Sequence, residues 1–219
     1  MQQARTFADR TEAGKQLAKA LMKYAHRRDT IVLALPRGGV PVGYEVANAL
    51  HCPLDVLVVR KLGTPSQEEL AMGAIASGGM RVLNRDVIDY LNIAPEDIEA
   101  ETRRETRELE RRERAFRGDR LPLDIRGRVV LLVDDGLAMG TTMLAAVSAV
   151  RALGAKKVVA AVPVGAVQSC RQLRTEVDEL ICLVKPDHLV AISVWYDDFR
   201  QTTDQEVQEL LRRTAPVIA

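Results

Sequence analysis

Residues 129–143, VVLLVDDGLAMGTTM, constrain this chain more than any other stretch. A short β-branched apolar run ends at two adjacent carboxylates, and a loop of small residues then leads into a helical pattern. Residues 128–133 have the unbroken apolar character of a central parallel strand, while residues 142–153 carry apolar side chains at helical spacing. The stretch between them is therefore a strand-to-helix turn. In an open α/β sheet, ligands gather at the carboxyl ends of the strands, where loop amides and the next helix's first turn offer N–H donors to an anion. Gly136, Ala138 and Gly140, with Met139 among them, let the backbone come close to such an anion. Thr141 and Thr142 add hydroxyl donors, and Asp134 and Asp135 are acceptors suited to a pair of vicinal sugar hydroxyls. The pattern reads as a sugar-phosphate site, with phosphate at the helix and ribose at the strand end. No G-x-G-x-x-G follows a strand, and Gly140 rather than Lys precedes the threonines, so dinucleotide and P-loop readings fall.

The rest of the chain supplies the sheet that such a turn needs. An amphipathic helix is expected over 11–27, buried strands over 31–35 and 54–60, a helix over 40–50, and further strands near 157–163 and 180–184. This alternation predicts an α/β fold with a doubly wound parallel sheet. The first strand ends in LPRGG, where two glycines after Arg37 allow the amides of Gly38 and Gly39 to form an anion-binding nest. With 219 residues, 47% hydrophobic and 28% charged, the chain suffices for one full core and an accessory lobe. No apolar run is long enough for a bilayer and residues 1–10 lack a signal-peptide core, so a cytoplasmic protein without membrane contact is expected. Cys52, Cys170 and Cys182 form no C-x-x-C pair and read as buried free thiols; the three histidines are isolated, against a protein-built transition-metal site. A net charge of +1 gives no general pull toward nucleic acid.

Between residues 62 and 127 the alternation stops. A hairpin is expected from extended pieces at 71–76 and 80–83 joined by Ser77, Gly78 and Gly79. A long charged helix then starts at Pro95 and ends at Gly118. Glu99, Glu108, Glu110 and Glu113 each precede an arginine by four residues. Its apolar stripe is thin (Ile98, Leu109, Phe116), suited to leaning on the core or on a second copy of the chain, and Arg103, Arg107, Arg111 and Arg114 line one face. Compensated charge of this kind is usually a wet helix face; an anion surface is the competing reading.

The run of apolar strand, paired acids and small-residue loop at 129–142 closely resembles the signature of the type I phosphoribosyltransferases, and P-R-G-G before an apolar helix resembles their pyrophosphate loop. The resemblance spans roughly residues 7–207 and implies that family's fold: one domain over 1–219, an insertion at 62–127 comprising lid, hairpin and charged helix, and a small hood at 186–201. It implies that Asp134 and Asp135 contact the ribose 2- and 3-hydroxyls of phosphoribosyl pyrophosphate and the metal indirectly, through ribose and water. Gly136, Ala138, Met139, Gly140, Thr141 and Thr142 would then wrap the 5-phosphate, Met139 standing where many members have Thr. Arg37, Gly38 and Gly39 would hold pyrophosphate, and if that loop has a cis peptide, Arg37 and Gly38 flank the candidate bond. Arg60 and Lys61, at the base of a flexible lid over 62–67, would add pyrophosphate contacts or be ordinary surface charges.

The same resemblance implies Mg²⁺-dependent phosphoribosyl transfer to a nitrogen acceptor, as in nucleotide salvage, within a homodimer of the kind common in this fold. The segment from Leu183 to Phe199 is similar to the tail of hypoxanthine-type purine transferases. By that likeness Lys185, Trp195 or Tyr196, and Asp197 would hold a nucleobase; the alternative is that the aromatics merely fasten the C-terminal segment. Two further classes compete. One is a regulator that senses phosphoribosyl pyrophosphate while binding nucleic acid or a protein; the other is a pyrophosphokinase of the same fold, which would be longer.

Overall fold

The computed structural model describes residues 7–65, 67–118, 120–122 and 124–214. Five strands form one parallel sheet: β1 (Thr30–Ala34), β2 (Leu54–Val56), β6 (Val129–Val133), β7 (Lys157–Val164) and β8 (Glu179–Val184), in the order β2-β1-β6-β7-β8. The period-2 alternation of each strand sends side chains to two separate cores. Val32, Ala34, Leu131 and Val133 pack beneath α1 (Arg10–Leu21) and α2 (Gly39–Leu50), while Ile31, Leu33, Val130 and Leu132 meet residues of α5 (Thr141–Ala152) and α6 (Val167–Arg174). The doubly wound sheet expected from sequence is therefore present.

The register places the site. Chain order runs outward from β1 to β2 in one direction and from β6 to β8 in the other, so the winding reverses between β1 and β6. Such a reversal opens a crevice at the carboxyl ends of the strands. Ala34 pairs with Val133 there, and the loops that follow both strands start side by side.

The expected single strand over 54–60 is two strands in different sheets. β2 ends at Val56, the Leu57 amide donates to the Ala34 carbonyl at 3.0 Å, and the chain re-enters as β3 (Val59–Thr64) in an antiparallel sheet with β4 (Gln67–Ala76) and β5 (Met80–Leu83). Ser77 makes the break, its hydroxyl accepting from the Val58 amide at 2.9 Å and its own amide donating to the Val58 carbonyl. The apolar run is continuous across this change of partner, so periodicity could not reveal it. The hairpin is β4–β5, as expected from sequence. The lid segment divides: residues 62–64 are the buried end of β3, with a register shift at Gly63, and Thr64 closes the turn by donating to the Gln67 carbonyl at 2.9 Å.

After α3 (Arg85–Leu91), α4 (Pro95–Arg117) starts at its proline and stops at Gly118. Ile98, Leu109 and Phe116 are its buried stripe. Burial extends to charge: Glu105 is 3% exposed and meets Arg60 at 2.6 Å, and Arg117 binds buried Asp55 at 2.9 Å. Of the expected i,i+4 pairs, Glu108–Arg112 and Glu113–Arg117 form, whereas Glu99 turns to Arg81 on β5. Helix α7 (Asp204–Arg213), begun by a Thr203–Glu206 capping box, packs against α4 and α2. No helix among the described residues is long and apolar enough to cross a membrane.

Candidate active site

Two loops meet at the β1/β6 crevice, and their glycines are set by that contact. A Cβ on Gly38 would stand 1.9 Å from Asp135 Oδ2, and one on Gly39 would stand 2.7 Å from the Val133 carbonyl oxygen. The PRGG turn therefore lies directly against the acidic pair. Its cis peptide joins Pro36 and Arg37, one bond earlier than expected, and the Gly39 amide donates to the Leu35 carbonyl at 3.0 Å. Arg37 reaches Asp204 at the N-terminus of α7, at 3.3 Å.

The second loop is anchored at Leu137. Its amide donates to the Val164 carbonyl at 2.9 Å, and its carbonyl accepts from the Ala166 amide at 2.8 Å. The Ser169 hydroxyl on α6 donates to the Ala138 carbonyl. Gly140 takes φ 81°, a left-handed conformation that opens α5 without a side-chain cap. Among the described residues, the amides of Ala138, Met139 and Gly140 donate to no backbone carbonyl, while Thr141 and Thr142 stand exposed on the first helical turn. A helix N-terminus with unspent amides and hydroxyls is a receptor for phosphate. Met139 is 76% exposed and leaves those amides uncovered.

Burial pushes the Asp134 carboxyl well above the ordinary range, and the neighbouring Asp135 charge pushes it further. Burial likewise raises Asp135, opposed by the Arg10 guanidinium. Arg10 Nε donates to Asp135 Oδ2 at 2.8 Å, its Nη1 donates to the Arg200 carbonyl at 2.8 Å, and its Cζ lies 3.9 Å from the centre of the Phe199 ring. Sequence reasoning missed this residue. It sits 125 positions from Asp135, with no local pattern to mark it.

The hood closes over the crevice from the other side. The Tyr196 hydroxyl donates to the Asp135 carbonyl at 2.6 Å, and its ring lies 5.4 Å from Phe7 and 5.0 Å from Phe199. Ile192 packs on Gly136, where a Cβ would come within 2.5 Å of it. Trp195 and Tyr196 are buried in this cluster, whereas Lys185 and Asp197 are exposed at its rim. Arg60 is engaged by Glu105 on α4, and Lys61 is exposed on β3. Asp134, Asp135, residues 136–142 and residues 37–39 are thus gathered at one crevice.

An α/β sheet wound both ways, with an acidic pair between two anion-receptive loops at its reversal point, defines the phosphoribosyl transferase class. The phosphoribosyl transferase domain family matches residues 8–199, and the chain belongs to it. A curated Mycobacterium tuberculosis protein (strain H37Rv), named "Putative phosphoribosyl transferase Rv0571c", is 46% identical over 207 residues, which are 94% of this chain and 46% of that protein. Its counterpart in strain CDC 1551 matches equally. The chain thus spans about half the length of the curated relatives it matches. The crystal structure of TT1426 from Thermus thermophilus is 39% identical, with a TM-score of 0.87 over 96% of this chain and all of that one.

Proposed function

We propose that this chain transfers the phosphoribosyl group of phosphoribosyl pyrophosphate to a nitrogen acceptor of the nucleobase kind, with release of pyrophosphate and dependence on Mg²⁺. Membership of the family implies the donor. The observation that carries the rest is the contact between Gly38 and the Asp135 carboxylate, which joins the candidate pyrophosphate loop to the candidate ribose site.

The donor would span the crevice. Amides at 138–140 and the hydroxyls of Thr141 and Thr142 take its 5-phosphate, Asp134 and Asp135 accept from the ribose hydroxyls, and the turn at 37–39 faces the leaving group. As the bond to pyrophosphate breaks, positive charge grows on the ribose and negative charge on the leaving group. Fixed donors aimed at the phosphates stabilise that separation without reorganising. The acceptor then attacks from the opposite face, inverting the anomeric carbon. Asp134 and Asp135 are half-buried acceptors, Asp135 already paired with Arg10, and they would help place Mg²⁺ indirectly, through the ribose oxygens and water. Among the described residues no three His, Cys, Asp or Glu side chains gather, so water and substrate oxygens would supply the metal's ligands. Bound there, Mg²⁺ would offset charge building on the pyrophosphate.

Incubation with phosphoribosyl pyrophosphate, Mg²⁺ and pooled purine and pyrimidine bases, followed by mass spectrometry, tests this reading. A nucleoside 5-monophosphate formed from one member of the pool is the expected product. Donor binding with no nucleotide from any base would contradict it.

A further inference from the structure

Cysteines that stand apart in the sequence are brought together beneath the candidate phosphate loop. Cys170 lies in the first turn of α6 and Cys182 lies in β8, with both side chains turned to the same point beside Gly165. Both sulfurs crowd Gly165, where a Cβ would stand 2.9 Å from Cys170 Sγ and 3.1 Å from Cys182 Sγ. The φ of Gly165 lies outside the left-handed region, so the thiols and the Leu137 side chain, rather than backbone conformation, exclude a larger residue there.

The two thiols are chemically unequal. The neighbouring Cys182 thiol brings the Cys170 thiol down to about 7 against the effect of burial, and Lys185 and Arg174 add to the lowering. Cys170 and burial push the Cys182 thiol upward, and that thiol donates to the Val184 carbonyl at 3.2 Å. A low-pKa thiol beside a resolving thiol is the pairing that redox-sensing cysteines use, and because Cys170 is only 4% exposed, peroxide must reach it through a local opening of α6. Cys52 is separate, and burial pushes it up to about 12.

The pair is coupled to the site through α6. Ser169, next to Cys170, holds the Ala138 carbonyl, and its Cβ would lie 3.6 Å from a Cβ on Gly140. Gly165 bridges directly to Leu137. We propose that Cys170 and Cys182 form a reversible disulfide on exposure to peroxide, and that the bond draws the first turn of α6 toward β8, withdraws Ser169 from Ala138 and loosens the phosphate loop. The first clause stands on the thiol geometry alone; the second rests on the proposed reading of that loop.

The chemistry balances. The Cys170 thiolate attacks one peroxide oxygen, the O–O bond breaks, and hydroxide leaves and takes up a proton from solvent. Cys182 sulfur then attacks the Cys170 sulfenic acid, the S–O bond breaks, and water departs with the Cys182 proton. Two thiols lose two electrons and one peroxide becomes two waters. Bonding brings the sulfurs to about 2 Å, a displacement taken up by α6 or β8.

The test treats the full chain with stoichiometric hydrogen peroxide, alkylates it under denaturing conditions and maps its peptides. The expected result is a Cys170–Cys182 cross-linked peptide with Cys52 still alkylated, reversed by dithiothreitol. Cys182→Ser should stop at a trappable sulfenic acid on Cys170, and Cys52→Ser should cross-link as the wild type does. Three alkylated cysteines after peroxide, or oxidation confined to Cys52, would overturn the disulfide. Calorimetry with phosphoribosyl pyrophosphate tests the coupling: the oxidised protein should bind more weakly than the reduced. Equal affinity overturns the coupling; no binding by the reduced protein overturns the reading of the loop as well, and leaves the disulfide result standing.

Discussion

Arg10 and Asp135 join the start of the chain to its acidic pair, Nε to Oδ2 at 2.8 Å, with side chains only 11% and 17% exposed. The guanidinium stacks on Phe199 and thereby ties the C-terminal segment, the first helix and the acidic pair into one unit. Removing one partner of a partly buried pair strands the other group, which can take up a proton instead, at a cost of about 2 kcal/mol. Arg10→Ala should therefore lower stability by about that amount in urea unfolding, with Arg10→Lys intermediate because it keeps the charge and loses the planar stack. An Arg10→Ala protein as stable as the wild type would remove Arg10 from this role.

Gly38→Ala should disable the site through sterics. Its Cβ would fall 1.9 Å from Asp135 Oδ2 and 2.7 Å from Cγ, so the carboxylate must shift by more than an ångström. Displacements of that size cost about 10²-fold in kcat/KM. Steady-state kinetics of the proposed reaction would register the loss; a change under about twofold would mean that the two loops do not share a ligand.

The acidic pair has a pH signature. Both carboxyls are raised above their unfolded values by burial, so the folded state holds protons that the unfolded chain has released. Stability from this source is therefore present at low pH and is lost as pH rises from the unfolded value through the raised one. Asp134→Asn removes the more strongly raised of the two titrations, and its amide oxygen can still accept from the Asp135 amide as Asp134 Oδ1 does at 2.9 Å. Thermal unfolding should show the variant more stable than the wild type near pH 8, with the gap closing toward pH 4. A constant difference across that range would contradict the assignment.

Helix α4 should depend on its buried charges and be indifferent to its exposed ones. Arg117 and Asp55 are 7% and 5% exposed at 2.9 Å, and the Arg117 guanidinium also donates to the Val56 carbonyl at 2.6 Å. Arg117→Ala should cost about 3–5 kcal/mol by denaturant titration, whereas Arg111→Ala, on the solvent face, should stay within about 0.5 kcal/mol. Equal effects would mean that α4 is not docked as described.

Much of this was legible because it is local. The β6 run, the small-residue turn and the apolar face of α5 each follow from patterns within a dozen residues, and the same holds for β1, LPRGG and α2. Pro95 and Gly118 marked the ends of α4 by their backbone restrictions alone. What stayed hidden needed long-range partners. The split between β2 and β3 depends on Ser77, the burial of Glu105 depends on Arg60, and the Arg10–Asp135 pair and the Cys170–Cys182 contact exist only once the sheet has assembled. Trp195 and Tyr196 illustrate the ambiguity: an aromatic cluster reads alike as a stacking platform or as packing, and both rings here lie in the hood's core.

The central claim is that Asp135 holds the donor's ribose while pyrophosphate leaves beside Gly38. The rate of pyrophosphate release from phosphoribosyl pyrophosphate with Mg²⁺ and a pool of bases tests it, with Asp135→Asn beside the wild type. Release should require both Mg²⁺ and a base and should fall about 10²–10³-fold in the variant while its unfolding transition stays cooperative. Undiminished release by Asp135→Asn would contradict it.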